Sequence, residues 1–318
     1  MRLSARPYRD EEDYWAIRQF LREVYLLNNR MEHSWQVARL DWWRWYGIMN
    51  LGHGTLETGV FLWELQSGQP VAVLNREGLG QAFLQVDPRR RSEDLEGEML
   101  SVAESHLSAL SPSSGRRGIA VYARDTDGLR TGLLERRGYT RLPDWQEIQH
   151  SRDLAEPLPA PSVPRGYILR PMHADHEDLR RRSRAGWRAF HADEPSENFE
   201  PGGWYANVQR APLYRRDLDL VAEAPSGEIV AFATLWYDDV TRSGYFEPVG
   251  CVPEHRKRGL AKALLLEGMR RIRDMGALVA TVGGGGVSNP EAEDLYASVF
   301  GKEGASCTAW VKYLDGGA

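Results

Sequence analysis

The amino-acid sequence predicts an α/β protein of two tandem domains, each a mixed, mostly antiparallel sheet flanked by helices. Three observations lead there. The chain has 318 residues, and at roughly 100–200 residues per domain two domains are the natural partition. Residues 155–166 read AEPLPAPSVPRG. Proline removes backbone donors and favours extended polyproline conformations, so this run reads as a linker. On either side of it the same succession of element signals appears, as expected of an internal duplication. The expected domains are therefore 1–154 and 167–318, joined by 155–166.

Each half opens on an Arg-Pro pair, Arg6-Pro7 and Arg170-Pro171. Acidic residues follow in both: Asp10, Glu11, Glu12 and Asp13 in the first, Asp175, Glu177 and Asp178 in the second. There they complement the dipole of a starting helix. The first helix is predicted from Tyr14 to about Leu26, and its counterpart runs to about Phe190. In the first half Trp35, Trp42, Trp43, Trp45 and Tyr46 follow, spaced for a helix buried on more than one face. Gly68-Gln69-Pro70-Val71 and Gly227-Glu228-Ile229-Val230 each read as a tight turn leading into a strand. Pro88 with Arg91, and Pro253 with Arg256, each precede a long helical pattern. Ile119–Ala123 and Leu278–Val282 read as buried strands, followed by helices over Leu129–Arg137 and Glu291–Val299. Each half thus reads β, α, (α), β, β, α, β, α, β, which suggests a mixed sheet covered by helices.

Composition narrows the function. Hydrophobic residues make up 42% and charged residues 27%, ordinary for a globular protein. The net charge is −5 and the pI about 6.0, which argues against nucleic acid as the main partner, because phosphate binding draws on a basic surface. Cys251 and Cys307 are the only cysteines, too few for a disulfide framework, and no cysteine or histidine stands at metal-ligand spacing. Both read as small, partly buried apolar residues, and no metal is expected. The N-terminus, MRLSARPYRDEEDYW, has no apolar core of a secretory signal. The longest uncharged stretch, Gly276 to Pro290, falls short of the ~20 apolar residues of a membrane span. A cytoplasmic protein with no membrane partner is the expectation.

The segment 245–266, YFEPVGCVPEHRKRGLAKALLL, carries the strongest chemical signal. A strand-like run from Tyr245 to Val252 ends at Pro253. A basic loop, Arg256-Lys257-Arg258-Gly259, leads into a helix with Leu260, Ala263, Leu264 and Leu266 on an apolar face. Glycine lets the backbone turn tightly and approach a ligand closely. The first amides of the new helix lack intrahelical partners and, with the dipole, form an anion site. Taken alone, the loop is equally readable as a solvated basic turn.

Order and spacing say more. Arg256-x-x-Gly259-x-Ala261, after a strand and Val-Pro, resembles the acetyl-CoA pyrophosphate loop of the GNAT superfamily of N-acetyltransferases, Q/R-x-x-G-x-G/A. Downstream, Asn289-Pro290-Glu291-Ala292-Glu293-Asp294-Leu295-Tyr296 resembles the family's N-x-x-A-x-x-L-Y segment. The resemblance implies that acetyl-CoA is the co-substrate. Its pyrophosphate would lie on the backbone amides around Arg258, Gly259, Leu260, Ala261 and Lys262, with Arg256 and Lys257 adding charge. Its pantetheine arm would lie where the strand through Cys251 and Val252 splays from the one ending near Val282, and Asn289 would help to hold it. Tyr296 would protonate the departing thiolate, a fitting donor because a phenol's ordinary pKa is ~10. Glu247, on the strand into the loop, stands where the family often carries a general base; it also reads as a structural carboxylate at a strand edge. One departure stands out: the family usually ends the last helix on Gly-Phe, and here the order is Phe300-Gly301. The run Gly283–Gly286 reads either as a flexible loop or as backbone kept bare for a ligand.

The acceptor region in this fold includes the segment after the first helix, here His191 to Glu200 with Trp204 and Tyr205. Its carboxylates beside aromatics would suit a cationic amine, and it also reads as a solvated acidic loop. In the first half, aligning Pro88 with Pro253 puts Asp94 at the place of Gly259 and Glu96 at that of Ala261, and Leu134 or its neighbour replaces Tyr296. Carboxylates there would repel a pyrophosphate, so the first half is expected to keep the fold without the cofactor. The expected protein is an N-acetyltransferase acting on a small-molecule primary amine, as a monomer that is a pseudo-dimer within one chain, or as a homodimer. The alternatives are a non-catalytic acyl-CoA sensor and an acetyltransferase of protein lysines or N-termini.

Overall fold

A computed structural model describes residues 3–31, 34–52, 54–111, 115–195, 199, 204–287 and 289–314. Its strands are β1 (Ala5–Pro7), β2 (Val60–Glu64), β3 (Pro70–Asn75), β4 (Gln81–Val86), β5 (Ala109–Leu110), β6 (Arg117–Arg124), β7 (Thr140–Asp153), β8 (Ile168–Pro171), β9 (Asp219–Glu223), β10 (Ile229–Asp238), β11 (Ser243–Cys251), β12 (Val279–Val282) and β13 (Gly304–Tyr313). The chain divides into two compact units. One holds Met1–Ile148, Gly284–Pro290 and Ala305–Ala318; the other holds Gln149–Gly283 and Glu291–Gly304.

In the first unit β1, β2, β3 and β4 pair antiparallel in that order. β4 then pairs parallel with β6, and β6 pairs antiparallel with β13, from Arg124↔Cys307 to Gly118↔Tyr313. Side chains alternate across a strand, and here both faces are covered. Phe61, Trp63, Ala72, Leu74 and Leu84 enter one core with the helix Glu93–His106. Val60, Leu62, Val73 and Phe83 enter the other with the helix Glu11–Leu27. Trp35 and Trp43 are buried in that second core. Trp43 opens a π-helical turn, Trp43–Ile48, and Trp45 and Tyr46 are half-buried.

In the second unit β8, β9, β10 and β11 pair antiparallel. β11 pairs parallel with β12, and β12 pairs antiparallel with the end of β7, from Val279↔Asp153 to Val282↔His150. A single core joins Phe232, Leu235 and Phe246 of the sheet to Leu260, Leu264, Met269 and Ile272 of the helix Leu260–Asp274. Each such side chain contributes about 1.5–3 kcal/mol when fully buried.

The partition drawn from the sequence places the ends differently. The Pro-rich run 155–166 lies inside the second unit, which also takes the end of β7, while the C-terminal strand β13 belongs to the first. Backbone pairing between segments far apart in sequence decides this, and local composition carries no trace of it.

The duplication is visible in side-chain detail. Asp10 caps its helix by accepting from Glu12 and Asp13 N–H, and Asp175 caps the helix His176–Phe190 by accepting from Asp178 N–H at 2.7 Å. Arg6 forks onto Asp13, with both contacts at 2.7 Å, and reaches Glu64 through Nε at 2.6 Å. Arg170 forks onto Asp178, again at 2.7 Å twice, and reaches Glu223 through Nε at 2.9 Å. Planar two-pronged pairs of this kind are geometrically demanding. The hairpin turns also repeat: Gly68 N–H donates to Leu65 O at 2.9 Å and Gly227 N–H to Ala224 O at 2.8 Å.

Candidate active site

The β11–β12 ladder starts at Ser243↔Val279 and reaches Phe246↔Val282. β12 ends there, whereas β11 runs on to Cys251. Beyond Phe246 the strand is held from the β10 side, by Val249↔Ala233, Gly250↔Phe232 and Cys251↔Ala231. The β11–β12 ladder therefore stops at Phe246, and Glu247 is the next residue of β11.

The loop that follows is built for an exposed backbone. Val252 N–H donates to Val230 O at 2.9 Å, and Pro253–His255 forms one tight turn. Lys257 and Gly259 have φ of 59° and 80°. Gly259 is the residue before the helix, and apart from its own chain neighbours nothing lies within 4 Å of where its Cβ would stand. That conformation favours glycine, and the empty space is what a bound ligand requires. The first helical bond runs from Ala263 N–H to Gly259 O, at 3.0 Å. The amides of Leu260, Ala261 and Lys262 therefore have no acceptor within the helix. With the dipole they make an anion site.

The named side chains divide into two groups. Arg256 braces the loop: its Nε donates to Cys251 O at 3.2 Å and its Nη2 to Ala189 O at 3.1 Å. Lys257 lies on the surface, 3.3 Å from Glu291. Arg258 donates to Glu254 O at 3.3 Å, and Lys262 reaches Ser298 O at 3.3 Å. Val252 and Leu260 instead bury their side chains in the core, so either would meet a ligand only through backbone. Cys251 is half-buried, and burial pushes its thiol up to about 11, leaving it neutral and inert as a nucleophile. Asn289 is exposed on Gly284–Pro290, which groups with the first unit.

Tyr296 and Glu247 fall in one electrostatic environment. Burial pushes the Tyr296 hydroxyl well above its ordinary value, and the Glu247 carboxylate pushes it further. At neutral pH Tyr296 therefore holds its proton. Trp236 Nε1 donates to Glu247 O at 2.6 Å and fixes the backbone there. The Phe300-Gly301 order leaves the helix end intact: Phe300 is in the core, and Gly301 follows with φ 115°.

Sequence reasoning missed His150. Fully buried at the end of β7, it has Nε2 3.0 Å from Glu293 Oε2 and Nδ1 3.1 Å from Gly301 O. Its segment precedes the Pro-rich run, and no local motif marks it. Sequence reasoning misplaced Tyr205. It is wholly buried, its hydroxyl donating to Asp219 at 2.8 Å and lying 2.8 Å from Thr234, so it belongs to the framework and lines no open acceptor site. Asp193 and Glu194 are exposed, while Ser196, Glu197, Asn198 and Glu200 lie outside the described residues.

The first unit's counterpart loop is built differently. Asp87 N–H donates to Val71 O at 2.9 Å, as Val252 does to Val230. From these matched residues the next helix is reached at Ser92 and at Gly259, so the first loop is two residues shorter. Ser92, rather than Asp94, therefore stands at Gly259's place; a deletion is invisible to an ungapped alignment. Ser92 Oγ accepts from Leu95 N–H at 3.2 Å, and Asp94 is exposed on the first turn. Glu96 is fully buried, accepting from Arg91 Nε at 2.6 Å and Arg130 Nε at 2.9 Å. Counting back from Gly138 as from Gly301, Leu133 stands at the place of Tyr296.

Among the described residues no group of His, Cys, Asp and Glu could hold a metal, and no helix is long and apolar enough to cross a membrane. Residues 179–301 match the model of the acetyltransferase (GNAT) family. Three solved structures are similar over nearly the whole chain. The GCN5-related N-acetyltransferase from Sphaerobacter thermophilus is 22% identical, with 99% of this chain and 97% of that one covered and a TM-score of 0.65. The tandem GNAT protein from the clavulanic acid biosynthesis pathway is 13% identical, with both chains covered in full and a TM-score of 0.63. A GNAT-family acetyltransferase from Colwellia psychrerythraea is 12% identical, with 98% and 99% covered and a TM-score of 0.60. No curated protein matches the sequence significantly.

Proposed function

We propose, from the match of residues 179–301 to the acetyltransferase (GNAT) family model, that the chain transfers acetyl from acetyl-CoA to a primary amine of a small molecule. The observation that carries this reading is the helix start at Gly259, which follows a strand that runs on past the end of its β12 ladder. The amides of Leu260, Ala261 and Lys262 and the open side of Gly259 fit a pyrophosphate. Glu247 takes the proton that the acceptor amine sheds as its nitrogen attacks the thioester carbonyl carbon. The carbon–sulfur bond then breaks, and Tyr296 gives its proton to the sulfur. The products are the N-acetylated amine and CoA with a free thiol. A sensor that only bound acyl-CoA would need neither side chain. The first unit binds no acetyl-CoA in this reading, because its loop is two residues shorter and its helix start is capped by Ser92.

The test is CoA thiol release from acetyl-CoA with a panel of amino sugars, polyamines and aminoglycosides, beside a lysine peptide. Release with a small amine, lowered about 10²–10⁴-fold by Tyr296→Phe, is expected of a general acid. Release with the peptide alone would make the substrate a protein. Acetyl-CoA binding with no release by any acceptor would favour the sensor.

A further inference from the structure

The end of β7 enters the second unit from the chain ahead of the Pro-rich run, and its last residues grip one helix repeatedly. His150 stands opposite Val282, the last residue of β12, where the β11–β12 ladder ends. Its ring is wholly buried. Nδ1 lies 3.1 Å from Gly301 O, just past the end of the helix Pro290–Phe300. Nε2 lies 3.1 and 3.0 Å from the two oxygens of Glu293, in the first turn of that helix. A carbonyl and an ionised carboxylate both only accept, so each ring nitrogen of His150 faces an acceptor on this helix or just past its end. Two residues on, where a strand presents the same face again, Arg152 Nη1 donates to Val299 O at 2.7 Å.

Tyr296 lies between these grips. It follows Glu293 by three positions, so both share a helix face, and its ring centroid is 6.4 Å from that of His150. We infer that His150 is a positioning residue for acetyl transfer, clamping the helix Pro290–Phe300 at both ends so that the Tyr296 hydroxyl is held toward the leaving sulfur. The inference rests on the reading of Tyr296 as the proton donor. A donor must sit within hydrogen-bond reach of the atom it protonates, and a misplacement of ~1 Å costs on the order of 10²-fold in rate. A helix tied at one end only would fray at the other, and Tyr296 sits near its middle. His150 touches none of the loop amides, so its role separates from acetyl-CoA affinity.

The experiment places 3-fluorotyrosine at position 296 in the full chain and follows its ¹⁹F resonance as acetyl-CoA is added, with affinity measured by calorimetry. The resonance is expected to move on binding in the otherwise wild-type chain. In His150→Leu the affinity should stay within about 3-fold while that movement is lost, and CoA release should fall about 10–100-fold. His150→Asn, which keeps a donor for Gly301 O, should restore most of both. In a Tyr296→Phe background His150→Leu should cost less than about 3-fold more, because residues acting through one another are not additive. If His150→Leu does not fold, His150→Asn and Glu293→Gln give the same comparison. An unchanged fluorine response, or losses that multiply, would overturn the inference and leave the acetyltransferase reading standing. A wild-type chain that binds no acetyl-CoA would instead sink that reading, and this inference with it.

Discussion

Replacing Glu96 by glutamine probes the buried charge at the start of the helix Glu93–His106. The Glu96 carboxylate is wholly buried between Arg91 and Arg130, at 2.6 and 2.9 Å. It neutralises both guanidiniums from within the chain. Glutamine keeps the shape, removes the charge and turns an NH₂ toward a guanidinium. Breaking a buried ion pair from one side costs about 3–5 kcal/mol. Arg91 keeps Asp127 at 2.8 Å, which puts the loss near the lower end, about 3 kcal/mol. For a unit of this size that lowers Tm by about 6–12 °C. Differential scanning calorimetry of the full chain reads it directly. Glu93→Gln is the control: its pair with Arg136 at 2.9 Å has both side chains more than half exposed, and should contribute under about 1 kcal/mol. Acetyl-CoA affinity should be unchanged in both. If Glu96→Gln unfolds no earlier than Glu93→Gln, the buried carboxylate does not hold the first unit together through Arg91 and Arg130.

Two further outcomes follow from the same contacts. At Asp13, Asp178 and Glu96 burial raises the carboxyl, but their arginine partners outweigh it and hold each below the usual carboxylate range. A depressed folded-state value stabilises above the unfolded pKa of ~4 and is lost as pH falls through the folded value. The urea midpoint should therefore be flat above about pH 5 and drop progressively below about pH 4; a loss setting in near neutrality would contradict these assignments. Truncation after Gly304 removes β13, and with it the ladder to β6 and the bonds from Ser306 and Thr308 to Asp125, both 2.7 Å. The first unit should then become protease-sensitive although the deleted residues end the second half of the chain; unchanged resistance would refute the strand assignment.

What could be read from the sequence was local. Gly259, Pro253 and the basic run carry their geometry in their own residue types, and the left-handed turn before a helix with unengaged amides stands where the spacing put it. The acidic helix starts are likewise self-contained, and Asp10 and Asp175 both act as side-chain caps. The Arg6 and Arg170 triads each draw a third member, Glu64 or Glu223, from a distant strand, and only the fold brings it there. The same limit hid His150, which reaches Glu293 across 143 positions, and the crossing of β7 and β13 between units. Tyr205 looked like acceptor-site lining because an aromatic beside an acidic run also suits a binding surface, and nothing in the local pattern announced Asp219 beneath it. The two-residue deletion before Ser92 moved the counterpart of Gly259, and only the matched bonds of Asp87 and Val252 fix the register.

The account stands most directly on the number of acetyl-CoA sites. Calorimetric titration of the full chain with acetyl-CoA, beside Gly259→Asp, counts them. Aspartate tolerates the left-handed backbone better than most residues, so the variant should fold while its carboxylate meets the incoming pyrophosphate. One equivalent bound by the wild type, with affinity lost in Gly259→Asp, is the predicted result. Two equivalents, or one that survives Gly259→Asp, would place a site in the first unit, and would contradict the account.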